Sequence, residues 1–102
     1  MSTPKAASCH VLNGEKLPPE SGGAAAICAA FQQAIAARAP NVRYNAEVRV
    51  LSRSSLAVSA EVGGRKLEEQ HFAVMDRNLN AISVKRFAES FADLVRDAAK
   101  KE

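Results

Sequence analysis

After Pro40 the chain alternates strictly: Val42, Tyr44, Ala46, Val48 and Val50 are apolar, while Arg43, Asn45, Glu47 and Arg49 between them are polar. A period of two is what a strand with one buried and one wet face demands, and a helix does not satisfy it. Leu56, Val58, Ala60 and Val62 repeat the pattern against Ala57, Ser59 and Glu61. The polar run Ser52-Arg53-Ser54-Ser55 between the two segments reads as a hairpin loop. Val62-Gly63-Gly64-Arg65 then offers two glycines for the positive φ angles of a type I′ turn, so a third strand should run on toward Met75. The segment is expected to form a three-stranded antiparallel meander.

Residues opposite each other in an antiparallel pair share a face, which allows the register to be tested from the sequence. Pairing Val50 with Leu56 also sets Val48 against Val58, Ala46 against Ala60 and Tyr44 against Val62, and every pair agrees in character. Across the glycine turn Glu61 meets Lys66 and Ala60 meets Leu67, but the next inward pair would join Val58 to Glu69. Two resolutions exist. Either a bulge between Glu68 and His71 shifts the parity and turns Phe72 and Val74 inward, or the strand is regular and Phe72 and Val74 join Leu51 on the outer face. The second case would create an apolar patch and a possible interface for self-association as a homodimer.

Upstream, Ala24, Ile27, Cys28, Phe31, Ala34 and Ile35 fall at helical spacing in an alanine-rich stretch that Ala39-Pro40 should end. Downstream, Val84, Phe87, Ala88, Phe91, Leu94, Val95 and Ala98 form a second stripe, with Asn80 or Ser83 placed to cap its start. Phe31, Phe87 and Phe91 are expected in the core. Before the first helix, Cys9 to Leu12 reads as a fourth strand along an edge of the meander, or else as half of a small hairpin about Asn13-Gly14. The fold class is therefore α+β, a three- or four-stranded antiparallel sheet with two helices packed on one face in β-α-β-β-β-α order. Residues 1–8 are expected to be a disordered amino terminus, 9–99 a single domain and 100–102 a tail.

A net charge of +3 invites a nucleic-acid reading. Setting aside Lys5, Lys100 and Lys101 of the 14 basic residues, and Glu102 of the 11 acidic ones, leaves a balance of only +1 for the folded part. That is too little for a surface that tracks phosphates unless the charges are strongly segregated. No window approaches the roughly 18 apolar residues of a membrane helix, so no membrane span is expected. Met1 to Ser8 carries one lysine and no apolar signal core, so an export signal is expected to be absent or already removed.

Cys9 and Cys28 match neither a metal motif nor a Cys-x-x-Cys redox motif. They are a disulfide candidate that would tie the amino-terminal segment to the first helix, and the alternative is two free thiols, one of them on the helix stripe. A bridge would imply an exported protein. The residues an enzyme could draw on are Cys9, His10, Cys28, Glu69 and His71, and none lies in a catalytic pattern. Adjacent strand residues such as Cys9 and His10 point to opposite faces, which argues against joint metal ligation. No catalytic residue, metal or cofactor is expected. Arg43, Arg49, Arg53 and Arg65 fall on the wet face or rims of the meander, where cross-strand links to Glu47 and Glu61 are expected.

Leu56 to Val95, through Gly63-Gly64, Leu67, Phe72 and the helix around Phe87-Ala88 and Phe91-Ala92, resembles small accessory domains of exported envelope proteins, such as the amino-terminal domain of Tol-Pal translocation proteins. The resemblance implies a periplasmic binding or scaffold role, a compartment that would suit a bridged cysteine pair. Residues 23–99, as helix, three antiparallel strands and helix, also resemble the double-stranded-RNA-binding domain in topology. That resemblance implies phosphate contacts at the start of the last helix, where Ser83, Lys85 and Arg86 stand, although Glu89, Asp93 and Asp97 follow them. The expected function is that of a non-catalytic interaction or structural domain, exported rather than cytoplasmic, with a protein partner or a second copy of itself. The alternatives are duplex-RNA binding and a small Cys/His enzyme.

Overall fold

Strands β1 (Ala7–Leu12), β2 (Tyr44–Ser52), β3 (Ser55–Val62), β4 (Arg65–Lys66) and β5 (Gln70–Ala73) form one sheet, and helices α1 (Ala24–Arg38) and α2 (Ala81–Lys100) pack on one of its faces. The computed structural model describes residues 7–75 and 77–100. Of the amino-terminal segment expected to be disordered, residues 1–6 lie outside the described residues, as do tail residues 101 and 102, while residues 7 and 8 belong to β1.

The β2–β3 register is the one the side-chain pattern dictates, with Val50 opposite Leu56, Val48 opposite Val58, Ala46 opposite Ala60 and Tyr44 opposite Val62. Beyond Val50 the pairing shifts by one, so that Ser52 meets Ser55 and Leu51 is the extra residue of a bulge. Serine hydroxyls brace the resulting tight turn: the Ser52 and Ser55 oxygens lie 2.8 Å apart, and the Ser54 N–H donates to Ser52 Oγ. At the other end of β3, Gly63 and Gly64 take φ angles of 56° and 85°, the left-handed geometry of a type I′ turn that glycine adopts without steric cost.

The sheet is mixed, which corrects the expectation of a purely antiparallel one. β1 runs parallel to β2, pairing Cys9 with Ala46 and Val11 with Val48. The physical reason is the connection: α1 carries the chain back along the sheet, so β2 must start at the same end as β1, as in any strand-helix-strand crossover. Asn13-Gly14 does not turn a hairpin. Asn13, in the left-handed region at φ 60°, opens a short 3-10 turn over Gly14–Lys16, and a second turn over Pro19–Ser21 leads into α1.

Two local devices start the helices. Before α1, the buried Ser21 hydroxyl donates to the Pro18 carbonyl (2.8 Å) and accepts from the Gly23 N–H (3.2 Å). At α2, the Asn80 N–H donates to Ser83 Oγ and the Ser83 N–H to Asn80 Oδ1, both at 3.0 Å, a reciprocal capping box that satisfies two otherwise unpaired donors.

Ile27, Phe31 and Ile35 of α1 and Val84, Ala88, Phe91 and Val95 of α2 meet the inward residues of β2 and β3 in one core. Phe31 and Phe91 touch edge to face with centroids 5.9 Å apart. Each fully buried aliphatic or aromatic side chain contributes roughly 1.5–3 kcal/mol of transfer free energy, and this shared layer is what holds the helices to the sheet. Leu94, read from the sequence as part of the α2 stripe, lies on its exposed rim.

Candidate interaction surface

Cys9 and Cys28 are bridged, with sulfurs 2.06 Å apart and Cα atoms 5.7 Å apart. Cys9 stands on the inward side of β1, in line with Ala46, and Cys28 follows the fully buried Ile27 on α1. The bond therefore fastens the edge strand to the helix above it.

On the wet face the arginine link goes to a different partner from the one expected. Arg49 Nη2 lies 3.2 Å from both oxygens of the Glu69 carboxylate, and His71 Nε2 shares Oε1 at 3.0 Å. Arg49, Ala57 and His71 are opposite one another across β2, β3 and β5, and the three polar side chains close over Ala57, which is fully buried although it faces away from the helices. Three separate exposed groups in the sequence thus become one small roof.

His10 is not part of it. It faces out from β1 opposite Glu47, three strand spacings, roughly 14 Å or more, from His71. Of the five residues on which an enzyme could draw, Cys9 and Cys28 are joined to each other, Glu69 and His71 pair in the roof, and His10 stands apart.

The third strand is bulged. Leu67 still donates its N–H to Ala60 O (2.8 Å), but Val58 pairs with Gln70 and Leu56 with Phe72, so one extra residue is accommodated between Leu67 and Gln70. Phe72 consequently faces the helices and stacks on Phe87 with centroids 4.9 Å apart. Val74 also packs against the core, while Leu51 projects from the β2 bulge into solvent. This corrects the idea of a joint Leu51, Phe72 and Val74 interface, because shifted parity puts two of the three on the opposite side of the sheet from a common outer patch.

A different surface is present beside β5. A groove of about 670 Å³ runs between the end of that strand and the first two turns of α2, with Val74, Ile82 and Phe87 along it. Met75 and Ile82 at its mouth are 83% and 69% exposed, the most exposed large apolar side chains among the described residues. Arg77 and Arg86 also line it. The sequence carries a signal for this site that periodicity alone does not flag: Ile82 is an apolar residue off the α2 stripe, beside the Lys85-Arg86 pair. Ser83, the third residue of that basic start, is occupied in the capping box.

Two ionisable groups are displaced by their surroundings. The Glu20 carboxyl is held below its ordinary range, first by its own backbone N–H, then by the Asn78 amide at 3.2 Å, with Arg53 adding to the effect. Burial pushes the Tyr44 phenol up.

No protein-family model matches this chain, and neither the curated proteins nor the solved structures contain a match to it.

Proposed function

We propose that this chain is a non-catalytic interaction domain working in an oxidising compartment such as the periplasm, its small fold stapled by Cys9–Cys28. The observation that carries the reading is the bridge between β1 and α1. Disulfides persist in exported proteins and are rare in reducing cytosol, and small domains with limited cores gain most from them. The pairing of Glu69 with His71 in the roof over Ala57, and the distance of His10 from both, fit the same reading.

The test is the intact mass of protein isolated from its native compartment and alkylated without reductant. No added alkyl group supports the proposal, and two added groups overturn it. The non-catalytic part is checked separately: His10→Ala, Glu69→Ala and His71→Ala variants that fold should retain the biological phenotype, and a loss with the fold intact would point to chemistry at those positions.

A further inference from the structure

β5 ends the sheet on the side opposite β1: its described residues pair with β3 alone. The Val74 N–H donates to Ser54 O at 2.8 Å, and the same two-residue period commits Phe72 and Gln70 to β3. The N–H and C=O groups of His71 and Ala73 therefore point away from the sheet. Short edges of this kind are where an extended segment can add as a further strand.

The groove opens at the Ala73 end of that edge. A strand laid beside β5 would place every second side chain on the helix side, where Ile82 and Phe87 offer apolar contact, and the others toward solvent. The charged side chains among the groove's described lining are Arg77 and Arg86, both guanidinium groups suited to paired hydrogen bonds with a carboxylate. A second copy of the same edge fits less well. In a pairing of β5 with β5, the helix-side residues entering the groove would be Gln70 and Phe72, and Phe72 is already stacked on its own Phe87.

We propose that the free edge of β5 and the groove beneath α2 dock an extended acidic peptide, which adds as a strand along His71–Ala73, seats an apolar side chain against Ile82 and Phe87, and sets a carboxylate on Arg77 and Arg86. The proposal rests on the interaction-domain reading and names its partner's chemistry.

The experiment is an amide NMR titration of the full chain with an N-acetylated peptide of two threonine-valine repeats ending in two glutamates, compared with the same peptide ending in two lysines. The glutamate peptide is expected to shift the amides of His71 and Ala73 and slow their exchange. Arg86→Glu should weaken its binding about tenfold and improve that of the lysine peptide. Ala73→Pro removes an outward N–H that β3 does not use and should abolish binding; if that variant does not fold, the charge reversal decides. Unperturbed His71 and Ala73 amides at millimolar peptide, equal binding of both peptides, or protection of these amides that grows with protein concentration alone would overturn the proposal. A bridged protein that fails to bind would sink this inference and leave the stapled-domain reading standing.

Discussion

Phe72 of β5 and Phe87 of α2 stack with ring planes 20° apart, and this contact closes the core at the β5 edge of the sheet. It exists because of one extra residue between Leu67 and Gln70, which turns Phe72 toward the helix. In a double-mutant cycle of Phe72→Ala and Phe87→Ala, the pair should show a coupling of about 0.5–1.5 kcal/mol beyond the two separate losses. Urea unfolding of the four proteins measures it. Additive losses would mean that the rings merely cover area and do not interact.

Cys9 and Cys28 enclose a loop with a sequence separation of 19, for which the chain-entropy account gives about 3 kcal/mol of stabilisation. A Cys9→Ala, Cys28→Ala double variant should therefore unfold at markedly lower urea than the oxidised protein, with reduction of the native chain giving a similar drop. If oxidised and reduced proteins unfold together, the bridge contributes nothing to stability.

Phe91 and Leu94 are three residues apart on α2, yet one is fully buried and the other 41% exposed. Phe91→Ala should cost about 3–5 kcal/mol, because it removes the ring that Phe31 packs against and leaves a cavity. Leu94→Ala should cost well under that, close to the roughly 0.5 kcal/mol typical of surface changes. Thermal unfolding separates the two, and similar losses would place Leu94 in the core after all.

The meander was legible in the sequence because both its signals are local: alternation fixes the faces, and Gly63-Gly64 fixes the turn. The order of elements was legible for the same reason. The direction of β1 was not, since six residues around Cys9 and Val11 pair equally well either way and only the path of α1 decides. The clash of Val58 with Glu69 left two resolutions for the third strand, a bulge or an outward Phe72, and the choice rested on the partner waiting inside for Phe72, the distant Phe87. The docking groove was least legible. It joins the end of β5 to the start of α2, and Ile82 and Met75 become a site only when the chain turns back between them. The Arg49–Glu69–His71 roof was hidden likewise, because the bulge that shifts parity also brings Glu69 within reach of Arg49.

Glu20 and Tyr44 respond to pH in opposite senses. The folded state lowers the pKa of Glu20, so its contribution to stability is complete above the ordinary carboxylate value and is lost as pH falls through the depressed folded value. Tyr44 is raised by burial, so its contribution is complete below the ordinary phenol value and is lost as pH rises through the folded one. Asn78→Ala deletes one of the donors that hold Glu20 down, and should move its carboxyl titration up toward the ordinary value while leaving the Tyr44 phenolate absorbance curve in place. Carboxyl NMR reads the first and ultraviolet absorbance the second. A Glu20 titration that does not move in the variant would show that the Asn78 amide makes no bond to it in solution, and that the link between the Pro19–Ser21 turn and the approach to α2 is not formed there.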